Sequence, residues 1–261
     1  MKKLIIVKIG GKVLDDAPQL DRLLDDFTSL AGGKVLVHGG GKAATEIAAR
    51  LGIASQMVDG RRITDAPMLN VAVMVYGGLM NKQIVAKLQA RGQKALGLTG
   101  ADLDLIRAHK RPVKTIDYGF VGDIAAVDAG ELQALLTRET VPVFAPLTHD
   151  GQGQLLNTNA DTIASAVATA ASRHFQVSLV YCFEKAGVLL DPEDEASVIP
   201  HLNPETYAAH KIGGVIVAGM IPKLDNAFDA LRQGVYRVYI CHARALAALA
   251  SPSFIGTEIA L

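Results

Sequence analysis

Residues 34–42, KVLVHGGGK, constrain the fold more than any other part of the chain. An apolar run stops in three consecutive glycines, and helical spacing resumes at once. Val35, Leu36 and Val37 read as a short buried strand. Ala44, Ile47, Ala48 and Leu51 then fall on one helix face. The glycines therefore occupy a strand-to-helix turn. Lacking Cβ atoms, they let a ligand lie against backbone N–H groups, and the helix N-terminus behind adds partial positive charge. Such a turn is a ready anion site, and equally it can serve the chain path alone.

The same grammar recurs along the chain. Residues 4–9 form an apolar run ending in Gly10, Gly11 and Lys12, and Leu20, Leu23, Leu24 and Phe27 mark a helix face with Pro18 near its start. Alternation of this kind predicts an α/β fold with a largely parallel sheet covered on both faces. The pattern further predicts one helix over 66–91, whose Gly77-Gly78 pair would need close packing against another helix or a second subunit. A strand is expected at 94–98, hairpins over 104–127 and a single buried strand over 141–147. The stripe Ala160, Ile163, Ala164, Val167, Ala168 marks a helix. Strands at 178–183 and 235–240 flank an acidic stretch, the glycine-rich GGVIVAGMIPK, and a helix carrying Leu224, Ala227, Phe228 and Leu231. A lobe boundary falls near 172–177.

The 261 residues carry 26 basic and 26 acidic side chains, which gives no reason to expect a nucleic-acid or anionic-membrane partner. Lys8 ends the first apolar run too early for a signal peptide, and no run approaches the ~20 apolar residues of a membrane span. A cytoplasmic protein is expected. Cys182 and Cys241 lie in apolar runs and read as buried thiols rather than a disulfide.

Four features stand at strand ends or helix starts, where open α/β sheets bind ligands. They are Lys8; His38 with the glycines after it; Asn157, Asn159 and Asp161; and Lys223 behind Pro222. Each has a plainer reading. Asn159 suits an N-cap and Asp161 a first helical turn, Lys223 can be solvated, and His38 can be a satisfied, half-buried histidine. Lys8 resists this treatment, because a lysine inside a short buried strand is costly without a partner.

Together VKIGGKVL, VHGGGK, GRRIT, NTNAD and GMIPK, in this order, with GLTGADLDLIRA, DYGFVGDI and the terminal GTEIAL, resemble the amino acid kinase family over nearly the whole chain. The resemblance implies a three-layer α/β/α sandwich. Its N-terminal lobe, 1–174, would bind the amino acid and form a homodimer, and its C-terminal lobe, 175–261, would bind ATP. It implies transfer of a phosphoryl group from ATP, with Mg²⁺ on the nucleotide phosphates, to the γ-carboxylate of an N-acylated glutamate, N-acetyl-L-glutamate being the usual one. Carried over by motif, Lys8 and Lys223 would flank the phosphoryl group, and Gly11, Gly40 and Gly41 would offer it N–H groups. Asp161 would hold the lysines. Arg62, Asn157 and Asn159 would grip the amino acid, while Gly10, Glu184 and Gly187 would stand beside the nucleotide. No residue is assigned as a direct metal ligand.

The physics agrees with that division. Two unit negative charges at ~4 Å repel by about 4 kcal/mol at an effective dielectric of ~20, and the nucleophile is already ionised at neutral pH, so no base is needed. The task is neutralisation and positioning.

The chain also departs from the family. Glu184-Lys185 stands where relatives carry a Thr/Ser-Asp-Val stretch, and no helix precedes the first strand, which argues for a simple dimer without arginine feedback. N-succinyl-L-glutamate remains an alternative substrate. Its extra carboxylate needs a further cation, for which Arg61 is a candidate and equally a solvated arginine. Aspartate or glutamate 5-kinase and a non-enzymatic nucleotide-binding sensor are the other readings. A dinucleotide reading of Gly39, Gly41, Ala44 and Asp59 leaves Lys8, NTNAD and Lys223 unexplained.

Overall fold

The computed structural model of the protein describes residues 1–58, 61–216, 220–249 and 251–261, so that Asp59 and residues 217–219 of the glycine-rich segment lie outside it. The chain begins β1 (Lys2–Ile9), α1 (Gly11–Asp15), α2 (Ala17–Ser29), β2 (Gly33–His38), α3 (Gly41–Arg50), β3 (Met57–Val58), β4 (Arg61–Arg62) and α4 (Ala66–Ala72). A π-helical segment, Val73–Met80, leads into α5 (Asn81–Gln89). There follow β5 (Ala95–Leu98), β6 (Ile106–Lys110), β7 (Gly122–Val127), α6 (Ala129–Thr137), β8 (Val141–Phe144), β9 (Leu147–His149) and β10 (Leu155–Asn157). Last come α7 (Ala160–Ala171), β11 (Phe175–Phe183), β12 (His201–Leu202), α8 (Pro204–Ile212), α9 (Ile221–Arg232), β13 (Arg237–His242) and β14 (Thr257–Ile259).

Packing divides these residues into two compact units, Met1–Val35 with Ala164–Leu261, and Leu36–Ile163. In the first, β11 runs parallel to β1 and to β13, with Lys8 opposite Tyr181 and Cys182 opposite Cys241. Strand β14 pairs antiparallel with β13 and parallel with β12. In the second, β8 lies parallel to both β2 and β5. A separate sheet there runs β10-β9-β6-β7. The fold is thus mixed α/β with a mostly parallel sheet, as the strand–helix alternation predicts. Leu4, Ile6, Val7 and Ile9 of β1 and Val35, Leu36 and Val37 of β2 are all buried, which is why these strands read as near-continuous apolar runs.

Local signals place the helices. Asp16 caps α2 by accepting the Gln19 N–H at 3.0 Å, and the stripe Leu20, Leu23, Leu24, Phe27 is buried. Asn159 accepts from the N–H groups of Asp161 (2.8 Å) and Thr162 (3.1 Å), so the helix-start reading of this pair holds.

Three expectations change. The run 141–147 is two strands, for the chain leaves β8 at Ala145-Pro146 and enters the second sheet as β9. Pro146 has no N–H to continue a ladder. The 66–91 helix exists, but its glycine pair lies in the π-helical segment. A Cβ on Gly77 would meet only the side chains of Leu147, at 3.4 Å, and Thr99, and one on Gly78 would meet nothing within 4 Å, so among the described residues no other helix presses on the pair, which leaves the second-subunit alternative. Lys8, finally, is half-buried rather than enclosed.

Candidate active site

In the first unit the carboxyl ends of β1 and β11 are drawn together. The Gly10 N–H donates to Cys182 O at 2.8 Å, and a Cβ on Gly10 would stand 3.1 Å from that of Phe183. Glycine is what this approach allows. Gly11 opens α1, and among the described residues nothing lies within 4 Å of the place its Cβ would take. Lysines gather here. Lys8 is one of the last residues of β1, Lys12 pairs with Glu184 at 3.1 Å, and Lys223 in the first turn of α9 sits 4.8 Å over the Phe183 ring. Burial pushes the Glu184 carboxyl up, but its own backbone N–H and Lys12, with Lys223 adding to them, outweigh that and hold it below the usual range. Gly187 is required by packing, since Thr257 Oγ1 and Val198 Cγ1 stand 2.8 and 3.0 Å from its absent Cβ.

In the second unit the glycine turn is built around a buried cation. Gly40 has φ of +150°, and a Cβ there would lie 2.5 Å from Met80 Sδ and 2.9 Å from Tyr76 Cδ1. Gly41 opens α3, and its carbonyl accepts from Arg62 Nη2 at 2.7 Å. The same nitrogen donates to Thr45 Oγ1 at 2.8 Å, while Nη1 donates to Ser55 Oγ. Tyr76 also faces the guanidinium; burial raises its hydroxyl pKa and Arg62 pulls it the other way. Arg62 is only 7% exposed, and among the described residues these acceptors are all neutral. A buried guanidinium without a carboxylate is an incomplete ion pair.

Arg62 also presents its carbonyl to Thr64 Oγ1 at 3.1 Å, and Thr64 Oγ1 in turn accepts from Asn157 Nδ2 at 3.0 Å. Arg62, Thr64 and Asn157 therefore form one chain of contacts. Asp161 stands in the first turn of α7 in the same unit. His38 is buried, not half-buried as expected, with Nδ1 donating to Gly39 O at 2.8 Å and Nε2 accepting from Asn81 at 3.1 Å. Desolvation lowers its pKa to about 4, the Gly39 bond opposing.

The structure thus brings Lys8, Gly10, Gly11, Glu184 and Lys223 to one strand end, and Gly40, Gly41, Arg62 and Asn157 to one glycine turn. Sequence reasoning missed Lys12, Thr45, Ser55, Thr64, Tyr76 and Asn81. Lys12 could have been found from its place after the glycine turn, and Thr45 from its helical spacing to Gly41. Nothing local marks the others.

The chain is similar to known proteins along nearly its whole length. An acetylglutamate kinase of Bacteroides fragilis is 58% identical over 245 residues, 94% of each chain. One of Cytophaga hutchinsonii is 55% identical over 261 residues, 99% of each chain. A solved Streptococcus mutans structure superposes with a TM-score of 0.76 at 25% identity, over 98% of both chains. The model of the amino acid kinase family matches residues 3–242, and the chain belongs to that family.

Proposed function

We propose that this chain transfers the γ-phosphoryl group of ATP to the γ-carboxylate of N-acetyl-L-glutamate, a step of arginine biosynthesis. The observation that carries the reading is the 58% identity to an acetylglutamate kinase across 94% of both chains. The Arg62 site fits it, because the α-carboxylate of an amino acid would supply the counter-charge that the buried guanidinium lacks among the described residues.

The nucleophile needs no base, so the work is electrostatic. Lys8 and Lys223 neutralise the phosphoryl oxygens, Gly11, Gly40 and Gly41 offer them N–H groups, and Asp161 orients the lysines. Arg62, Asn157 and Asn159 hold the amino acid with Gly41. Gly10, Glu184 and Gly187 stand on the nucleotide side. The ligands divide between an N-terminal lobe, 1–174, which also makes the homodimer contact, and a C-terminal lobe, 175–261. Mg²⁺ would ride on the nucleotide phosphates, as the kinase family implies. We place the enzyme in the cytoplasm, with its small-molecule substrates; separately, no helix among the described residues is long and apolar enough to cross a membrane.

The test is ADP release over a panel of N-acetyl-L-glutamate, L-glutamate and L-aspartate, with and without Mg²⁺. Turnover is expected with the N-acetylated substrate and magnesium. ADP release that ignores the amino acid, or that prefers free glutamate, would overturn the reading.

A further inference from the structure

Within the unit Leu36–Ile163, a cavity of about 530 Å³ lies against the segment that carries Arg62. Its volume is that of a small-ligand pocket, which runs from roughly 300 to 1,000 Å³. Arg61, His109, Arg111, Lys114, Tyr118 and Asp123 line it. Three permanent cations and a histidine there face one carboxylate. That carboxylate is already engaged, since Arg111 Nε reaches Asp123 at 3.1 and 3.2 Å and Nη2 reaches it at 2.5 Å. The Arg111 hydrogen bonds, against some burial and with His109 and Arg61 nearby, hold the Asp123 carboxyl below its usual range.

Positive charge is left over. Arg111 Nη1 is buried and has no hydrogen-bond partner among the described residues. The rest of its guanidinium is held by Asp123 and lies 5.5 Å over the Tyr118 ring. Neither Arg61 nor Lys114 makes an ion pair among the described residues. A buried donor left unpaired costs more than most hydrogen bonds return, so a cavity of this composition is built for an anion with several acceptor atoms.

The cavity and the amino-acid clamp share a wall. Arg61 and Arg62 are successive residues of β4, and successive strand residues face opposite ways. Arg62 turns inward to Gly41 and Arg61 outward to the cavity. Tyr118 O accepts the Thr64 N–H at 2.9 Å, and Thr64 holds Asn157. On an N-acylglutamate, the acyl nitrogen is bonded to the carbon that carries the α-carboxylate. A four-carbon arm carries its terminal carboxyl carbon about 5 Å from that nitrogen.

We infer that this cavity receives a carboxylate at the far end of the acyl arm, so that the chain phosphorylates N-succinyl-L-glutamate as well as the acetyl compound. The inference rests on the kinase reading above and leaves its chemistry unchanged, with the γ-carboxylate oxygen bonding to phosphorus as ADP departs. An acetyl cap carries no charge for these cations to meet. A succinyl cap brings a charge that could not be buried unpaired, and here it meets Arg61, Lys114 and the spare nitrogen of Arg111.

The experiment is kcat/KM for N-succinyl-L-glutamate and N-acetyl-L-glutamate on the wild type, Arg61→Leu and Lys114→Met, with free succinate as a competitor. The succinyl compound should turn over at least as efficiently as the acetyl one. Each substitution should lower the succinyl-to-acetyl ratio by about tenfold or more, the loss of a charged hydrogen bond. Turnover of the acetyl compound alone, or a ratio that neither substitution moves, overturns the inference and leaves the kinase reading standing. Inhibition by free succinate without turnover of its glutamate conjugate also overturns it, because the cavity would then serve a separate dicarboxylate. If neither conjugate is phosphorylated, the kinase reading falls. Thermal shift then decides the cavity, with stabilisation by N-succinyl-L-glutamate that Arg61→Leu removes supporting it and equal shifts by both conjugates overturning it.

Discussion

The Asn81 amide donates to His38 Nε2 at 3.1 Å and to Val143 O at 2.9 Å, while its oxygen accepts from Lys82 Nζ at 3.2 Å. The amide orientation is therefore set from both ends. With Nε2 accepting, the His38 proton must sit on Nδ1, where it is donated to Gly39 O. A neutral imidazole of one tautomer thus braces the first glycine of the turn.

This histidine makes folding sensitive to acid. Its pKa falls from an ordinary 6.5 to about 4 in the folded chain, chiefly by desolvation. Between those values the unfolded chain binds a proton that the folded chain refuses, so stability is complete above 6.5 and declines as pH falls toward 4. The loss is on the order of 3 kcal/mol. Urea midpoints measured from pH 7.5 to 4 should fall more steeply for the wild type than for His38→Gln, and parallel curves would remove His38 as the cause.

Arg62→Lys should raise KM for the amino acid by about tenfold or more while changing kcat less. An ammonium cannot hold Gly41 O, Thr45 and Ser55 while presenting a planar fork to a carboxylate. Steady-state kinetics with saturating ATP read this out. A change confined to kcat would move Arg62 from binding to the chemical step.

Lys8→Ala and Lys223→Ala should each lower kcat by about 10²-fold or more, because each removes a fixed cation from charge that builds during transfer. Single-turnover measurements separate this from product release. Loss expressed only as a higher KM for ATP would make these lysines nucleotide anchors.

Gly40→Ala should destabilise the chain by about 1–3 kcal/mol and weaken amino-acid binding. A φ of +150° is strained for alanine, and the new methyl would press on Met80 and Tyr76, which packs at the Arg62 guanidinium. Denaturant unfolding and KM for the amino acid check the two parts, and a wild-type midpoint would show that the turn relaxes freely.

Much of this was legible because it is local. The apolar runs in β1 and β2, the stripe of α2 and the Asn159 cap depend on residues within a few positions of one another, and backbone geometry turns such spacing into faces and caps. The motifs also mark Lys8, the glycines, Arg62 and Asn157 from sequence alone. The strand expected over 141–147 failed at Pro146, since an apolar pattern does not say which sheet a strand joins.

By itself, then, the sequence determined the family, the α/β alternation and the positions of the glycine turns. Tertiary structure decided what surrounds the charges. Arg62 meets Gly41 and Thr45 from 21 and 17 positions away, Asn81 meets His38 across 43, and Lys12 meets Glu184 on a different strand end. Whether a guanidinium is buried beside neutral acceptors, or four basic side chains share one cavity, depends on how distant segments pack. The electrostatic energy of those groups follows their mutual distance and exposure, quantities that no periodicity along the chain encodes.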